Sequence, residues 1–170
     1  RKLLTLSFVL IVVLGALVAL LLSASVYTYH ALTSEAAIAE LRVDRTGDRE
    51  YLAHLRTGDG CEERAFPIRG DQWRIDAAFL KWKYWALLLG LDSQYRLDRL
   101  SGRYRDVAEQ NARPDLAHDL GDETALDIVN VANALGRLNF LLDATYGTST
   151  YEDIDPDKVF TVYRTTTGII

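Results

Sequence analysis

The chain has 170 residues, 49% of them hydrophobic, with 19 basic and 24 acidic side chains, one cysteine and a net charge of -5. A single thiol excludes an internal disulfide framework, and the acidic balance excludes the usual electrostatic footprint of a nucleic-acid binder. The length suits one apolar anchor and one domain with its own core.

Residues 3–29 carry no charged side chain. Leu3 to Leu22 is a nearly continuous apolar run, and at ~1.5 Å of helical rise per residue it spans a hydrocarbon core of ~30 Å. Arg1 and Lys2 precede it, and the next Lys or Arg is Arg42. That asymmetry predicts a transmembrane anchor over residues 1–30 with a cytoplasmic N-terminus, and a periplasmic domain over residues 31–170. Ser23-Ala24-Ser25 fits a signal-peptide cleavage site. The run is longer than a signal h-region of ~7–15 residues, however, so an uncleaved anchor is expected. Without Arg1 and Lys2 the remainder holds 17 basic and 24 acidic residues, or -7. Tyr27 and Tyr29 fit the aromatic belt at a membrane–water boundary. Gly15, Ala19 and Ser23 recur every fourth residue on one helix face. Small side chains there permit close approach of another helix, although such residues are common in spans generally.

Residues 38–80 read as a β-meander. Ala39, Leu41 and Val43 alternate with Glu40 and Arg42, and Tyr51, Ala53 and Leu55 with Glu50, His54 and Arg56. Asp44–Asp48 and Thr57–Gly60 supply turn chemistry. Pro67 between Phe66 and Ile68 demotes that strand to an edge or a short piece. Trp73, Ile75, Ala77 and Phe79 continue the period of two. Leu80 to Leu91 suits a short buried helix ending near Gly90. Tyr95 to Tyr104 predicts a strand, and residues 106–119 a loop or marginal helix. Asp122 as N-cap and Gly136 as terminator bound a helix, with a second helical piece over 138–144. Residues 146–157 read as loop and Val159 to Thr165 as a closing strand. The expected fold is α+β: a single transmembrane helix followed by a small domain of antiparallel sheet plus helices. Trp73, Ile75, Phe79, Leu87, Leu88 and Phe160 are its expected core.

Chemistry is sparse. Asp153, Asp155 and Asp157 alternate like the opening of a calcium loop, but the sixth and twelfth places hold Lys158 and Arg164 where Gly and Glu belong. None of His30, His54 and His118 has a second ligand at zinc spacing. His54 and Cys61 flank one turn, which is a weak hint of a thiol–imidazole pair against the plainer reading of two unrelated hairpin residues. No phosphate loop, nucleophile elbow or dinucleotide fingerprint is present. Phe79 to Trp85 packs four aromatics and two lysines into seven residues. Trp82, Tyr84 and Trp85 are therefore candidates for a partner-facing or membrane-interface patch, the alternative being a core strand entering a helix.

Arg69-Gly70-Asp71-Gln72-Trp73, Leu80-Lys81-Trp82-Lys83, Gly90-Leu91-Asp92, Tyr95-Arg96-Leu97 and Leu100 to Tyr104 resemble a family of small single-span proteobacterial membrane proteins often labelled cation or multidrug efflux pump. The resemblance implies a bacterial inner-membrane location and no catalytic residues. From the residues themselves, one span encloses no pathway and carries no intramembrane charge for coupling. The leading expectation is a non-enzymatic accessory subunit of an inner-membrane complex. Its partners would be the lipid bilayer and other integral membrane subunits, with no cofactor, no metal and no nucleic acid. The alternative is a membrane-tethered periplasmic module that binds or senses a ligand or protein. An enzyme would most plausibly involve His54 and Cys61.

Overall fold

The computed structural model describes residues 2–58, 62–113, 116–121 and 142–170. It opens with helix α1, Lys2–Thr33, which is apolar around its whole circumference and exposed along its length. A helix of that character normally lies buried or in lipid. Its length and composition fit a membrane span or a signal sequence. Three residues after Thr33 the chain enters β1, Ala36–Gly47, followed by β2, Glu50–Thr57, and β3, Glu62–Arg69. These three strands form the expected meander, and β3 with Pro67 is an edge.

The meander then breaks. β4, Gln72–Trp82, leaves for a second sheet with β5, Gln94–Arg103, β6, Ala117–Asp119, and β7, Leu142–Asp153. β8, Val159–Arg164, returns to pair with β1. The result is two antiparallel sheets in the orders β3-β2-β1-β8 and β6-β5-β4-β7. They face each other across one core. Leu41, Val43, Leu55 and Ile68 come from the first sheet, Ile75, Ala77 and Leu100 from the second, and all are at most 1% exposed. Trp73 of β4 meets Phe160 of β8 edge-on at 5.3 Å, a direct link between the sheets. Edge-on geometry sets the positive rim of one ring against the negative face of the other.

The chain passes between sheets at Gly70-Asp71, where Gly70 has φ +126. The Asp71 N–H donates to the Arg103 carbonyl at 2.8 Å. A Cβ on Gly102 would overlap the Arg69 carbonyl, so both backbones cross here only because glycine is present. Arg49 sits beside the crossing at φ +55, a left-handed conformation costly for a side-chain-bearing residue. Its guanidinium holds Asp71 at 3.2 Å and Glu109 at 2.6 Å.

Several expectations need correction. Leu80–Trp82 belong to β4, and the helix predicted from Leu80 is only α2, Tyr84–Leu88. The helix does stop at Gly90, which has φ +87. Residues 106–119 hold a definite helix, α3, Val107–Ala112, besides β6; the Asp106 side chain caps α3 by accepting from the Glu109 N–H at 2.9 Å. The loop expected from residue 146 is strand as far as Asp153, because Tyr146 to Asp153 pair with Phe79 to Gln72 of β4. The helix expected over 122–136 lies outside the described residues. So does the first part of the 138–144 piece, whose end, from Leu142, is strand. Trp73, Ile75, Phe79, Leu87 and Phe160 are buried as expected, while Leu88 is only half-buried.

Candidate functional site

β4 changes allegiance along its length. Its odd residues Trp73, Ile75 and Ala77 enter the core between the sheets. Its even residues face the other way: Arg74 and Asp76 first, then Ala78, Leu80 and Trp82. The polar pair is left to solvent, and the apolar trio needs a cover, which α2 supplies. Ala86 and Leu87 pack with Leu80 and Trp82 into a second small core, with Ala78 and Trp85 at its margin. The Trp82 indole N–H donates to the Asp92 carbonyl at 2.9 Å, so the buried ring leaves no polar atom unmet.

Trp82 is therefore corrected from the expected surface patch: it is 8% exposed and structural. Tyr84 is 70% exposed and Trp85 half-buried, so only part of the candidate patch reaches the surface. Leu89, 73% exposed, and Leu91 join it. A period-two signal was available for Trp82, since Leu80 and Trp82 alternate with Lys81 and Lys83. It is masked by the helix-like run that follows.

This small core abuts α1. The Tyr27 hydroxyl donates to the Leu88 carbonyl at 3.0 Å, and the Thr166 hydroxyl to the Leu32 carbonyl at 3.1 Å. Arg164, largely buried, donates to the Ser93 carbonyl at 2.7 Å, tying β8 to the segment after α2. Tyr95 lies nearby; burial pushes its hydroxyl above the usual tyrosine range, with Arg164 pulling the other way. The last turns of α1 are thus held against the domain. Gly15, Ala19 and Ser23 lie further up the helix and are exposed, and a Cβ on Gly15 would meet nothing within 4 Å. Among the described residues the domain does not cover that face.

An open groove of about 940 Å³ runs along the outer face of the second sheet, lined among others by Arg74, Asp76, Arg96, Asp98, Arg99 and His118. Asp76 bridges Arg74 at 2.7 Å and Arg99 at 2.6 Å, and Arg96 holds Asp98 at 2.8 Å. The His118 Nε2 contacts the Pro67 carbonyl at 2.6 Å. Positive and negative groups neutralise one another, so the groove presents no concentrated field to a charged ligand.

On the outer face of the first sheet, His54 Nε2 meets Asp44 at 3.2 Å and His54 Nδ1 meets Glu63 at 3.0 Å. Arg56 joins Glu63 to Glu40. Both imidazole nitrogens are thus engaged by carboxylates, and Cys61 lies outside the described residues. His30, on α1, stacks edge-on to Tyr29.

The acidic segment after β7 is occupied by its own chain. Asp153 accepts from Arg105 at 2.6 Å and Gln72 at 2.8 Å, and Asp155 pairs with Lys158 at 2.9 Å. The hydrogen bond from Arg105, then that from Gln72, holds the Asp153 carboxyl below the usual carboxylate range. Lys158, then the Asp157 N–H, does the same for Asp155. Among the described residues no group of three or more His, Cys, Asp or Glu side chains is placed to hold a metal. No family model, no curated protein and no solved structure matches the chain.

Proposed function

We propose that the protein is a single-span accessory subunit of a bacterial inner-membrane complex, with α1 uncleaved and the two-sheet domain on the periplasmic side. One observation carries this reading. Among the described residues the helix is clamped to the domain only at its last turns, and the Gly15, Ala19 and Ser23 face is left open. A helix presented in this way is available to a neighbour in the bilayer. In lipid, helix association depends on close packing and not on hydrophobic drive. The charge-neutral groove and the carboxylate-engaged His54 support a non-enzymatic role. The resemblance of residues 65–105 to single-span membrane proteins points the same way; those residues build β4, α2, β5 and the crossing at Gly70.

Solubilising native membranes in mild detergent tests the proposal. The wild-type chain should migrate with partners in a large assembly, and Gly15→Leu or Ala19→Leu should release it with insertion intact. Leu10→Ala and Val13→Ala, away from that face, should not. A lone 19.1 kDa species would defeat the subunit reading. It would favour a membrane-tethered binding module instead, for which the 940 Å³ groove on the second sheet is the supporting observation.

A further inference from the structure

We propose that α2 and the turn after it form a second membrane contact, in which Tyr84, Leu89 and Leu91 seat in the headgroup layer of the bilayer that α1 crosses. The inference rests on the reading of α1 as a span.

Depth is the first argument. Counting from Leu3, the apolar run reaches Leu22 after roughly 28 Å of helix, close to the thickness of a hydrocarbon core. Tyr27 lies five residues further, about 7–8 Å, where the headgroup layer of roughly 5–7 Å begins to give way to water. Helical side chains lean back toward the N-terminus, so the Tyr27 ring reaches down the helix from its own Cα. Its hydroxyl meets the Leu88 carbonyl at 3.0 Å. Leu88 and its neighbours are therefore held beside α1 at headgroup level.

Composition is the second argument. Leu89 is 73% exposed, Tyr84 70% and Leu91 37%. Val107 on α3 is as exposed as these, but it stands alone, as isolated surface hydrophobes commonly do. At α2 three large side chains are exposed within eight residues, with Trp85 half-buried among them. They remain outside because α2 has already spent its inner face: Ala86 and Leu87 cover Leu80 and Trp82. Aromatic rings with a polar tip and lysines with long apolar stems suit this layer. Charge at this surface is largely paired, since Lys81 meets Asp143 at 2.8 Å and Asp92 meets Arg164 at 3.7 Å. Seating therefore depends on apolar and aromatic contact and should not require anionic lipid.

The full chain can be tested in a Cys61→Ser background with one label at a time. Leu89→Cys, Val13→Cys and Val107→Cys would each carry a fluorophore, and the protein would be reconstituted in phosphatidylcholine vesicles. Nitroxide lipids would quench from either the headgroup or the deep acyl position. Quenching of position 13 by the deep nitroxide is expected, as is several-fold stronger quenching of position 89 than of position 107 by the headgroup nitroxide. If position 13 is quenched and position 89 is no more quenched than 107, the second contact does not exist and the anchor stands. If position 13 is not quenched, the anchor reading fails and this inference falls with it. A Tyr84→Cys label guards against a local artefact at 89 and should report the same depth.

Discussion

The two ends of the domain are closed by different physics. At the end where α1 enters, closure is apolar: Leu80, Trp82, Ala86 and Leu87 form a small core of their own. Two hydrogen bonds from Tyr27 and Thr166 then fix the helix. At the far end, where β4 begins, closure is by charge and by backbone. Arg49 holds Asp71 and Glu109, Arg105 holds Asp153, and Gly102 lets two chains cross in contact. Apolar burial involves no titrating group and is not screened by salt, while half-exposed ion pairs contribute modestly and are screened. The helix end is thus closed by burial, and the far end by half-exposed charge.

That contrast can be broken most forcefully at Trp82. Trp82→Ala empties a site that is 8% exposed and removes the bond to Asp92, and should cost about 3–5 kcal/mol. Chemical denaturation of the full chain in detergent would measure this. An unshifted midpoint would mean that α2 is not covering a core at all.

A smaller effect is expected at the far end. Gly102→Ala forces a methyl group against the Arg69 carbonyl and should cost about 1–3 kcal/mol. Gly147→Ala is the matched control in β7, since its Cβ would meet nothing within 4 Å. There the added Cβ should be neutral or slightly stabilising, because strand glycine carries an entropic cost. Equal losses at both positions would show that the crossing is looser than its geometry implies.

The smallest effect is a response to acid, and it should be confined to one end. The folded Asp153 carboxyl sits below its ordinary value because Arg105 and Gln72 bond to its charged form. A depressed carboxyl contributes stability that is fully present above its unfolded pKa and is lost as pH falls through the folded value. Hydrogen exchange followed from neutral pH down through the carboxylate range should therefore show the amides near Gln72, Arg105 and Asp153 losing protection first. Those of α2 should change later. Asp153→Asn should flatten the response at the far end. Simultaneous loss at both ends would show the domain unfolding as one unit, with no local contribution from this pair.

Much of the fold was legible in the chain. The apolar helix, the alternation in β1, β2 and β4, the edge position of Pro67 and the closing strand near Phe160 all follow from period and from proline's missing donor, which are properties of neighbouring residues. The small-residue face was legible too, as spacing alone. Tertiary structure decided the rest, because it depends on residues far apart in the chain. No local signal says that β4 abandons the meander at Gly70; that follows from Gly102, more than thirty residues on, allowing the backbones to cross. No local signal makes Tyr146–Asp153 a strand, since its Gly, Ser and Thr content resembles a loop until β4 offers a ladder to pair with. From sequence, Trp82 beside two lysines reads either as a surface anchor or as part of a core strand entering a helix. It is buried because the outer face of β4 turns apolar at the point where α2 folds back to cover it, and burial of a side chain is settled by what lies opposite it.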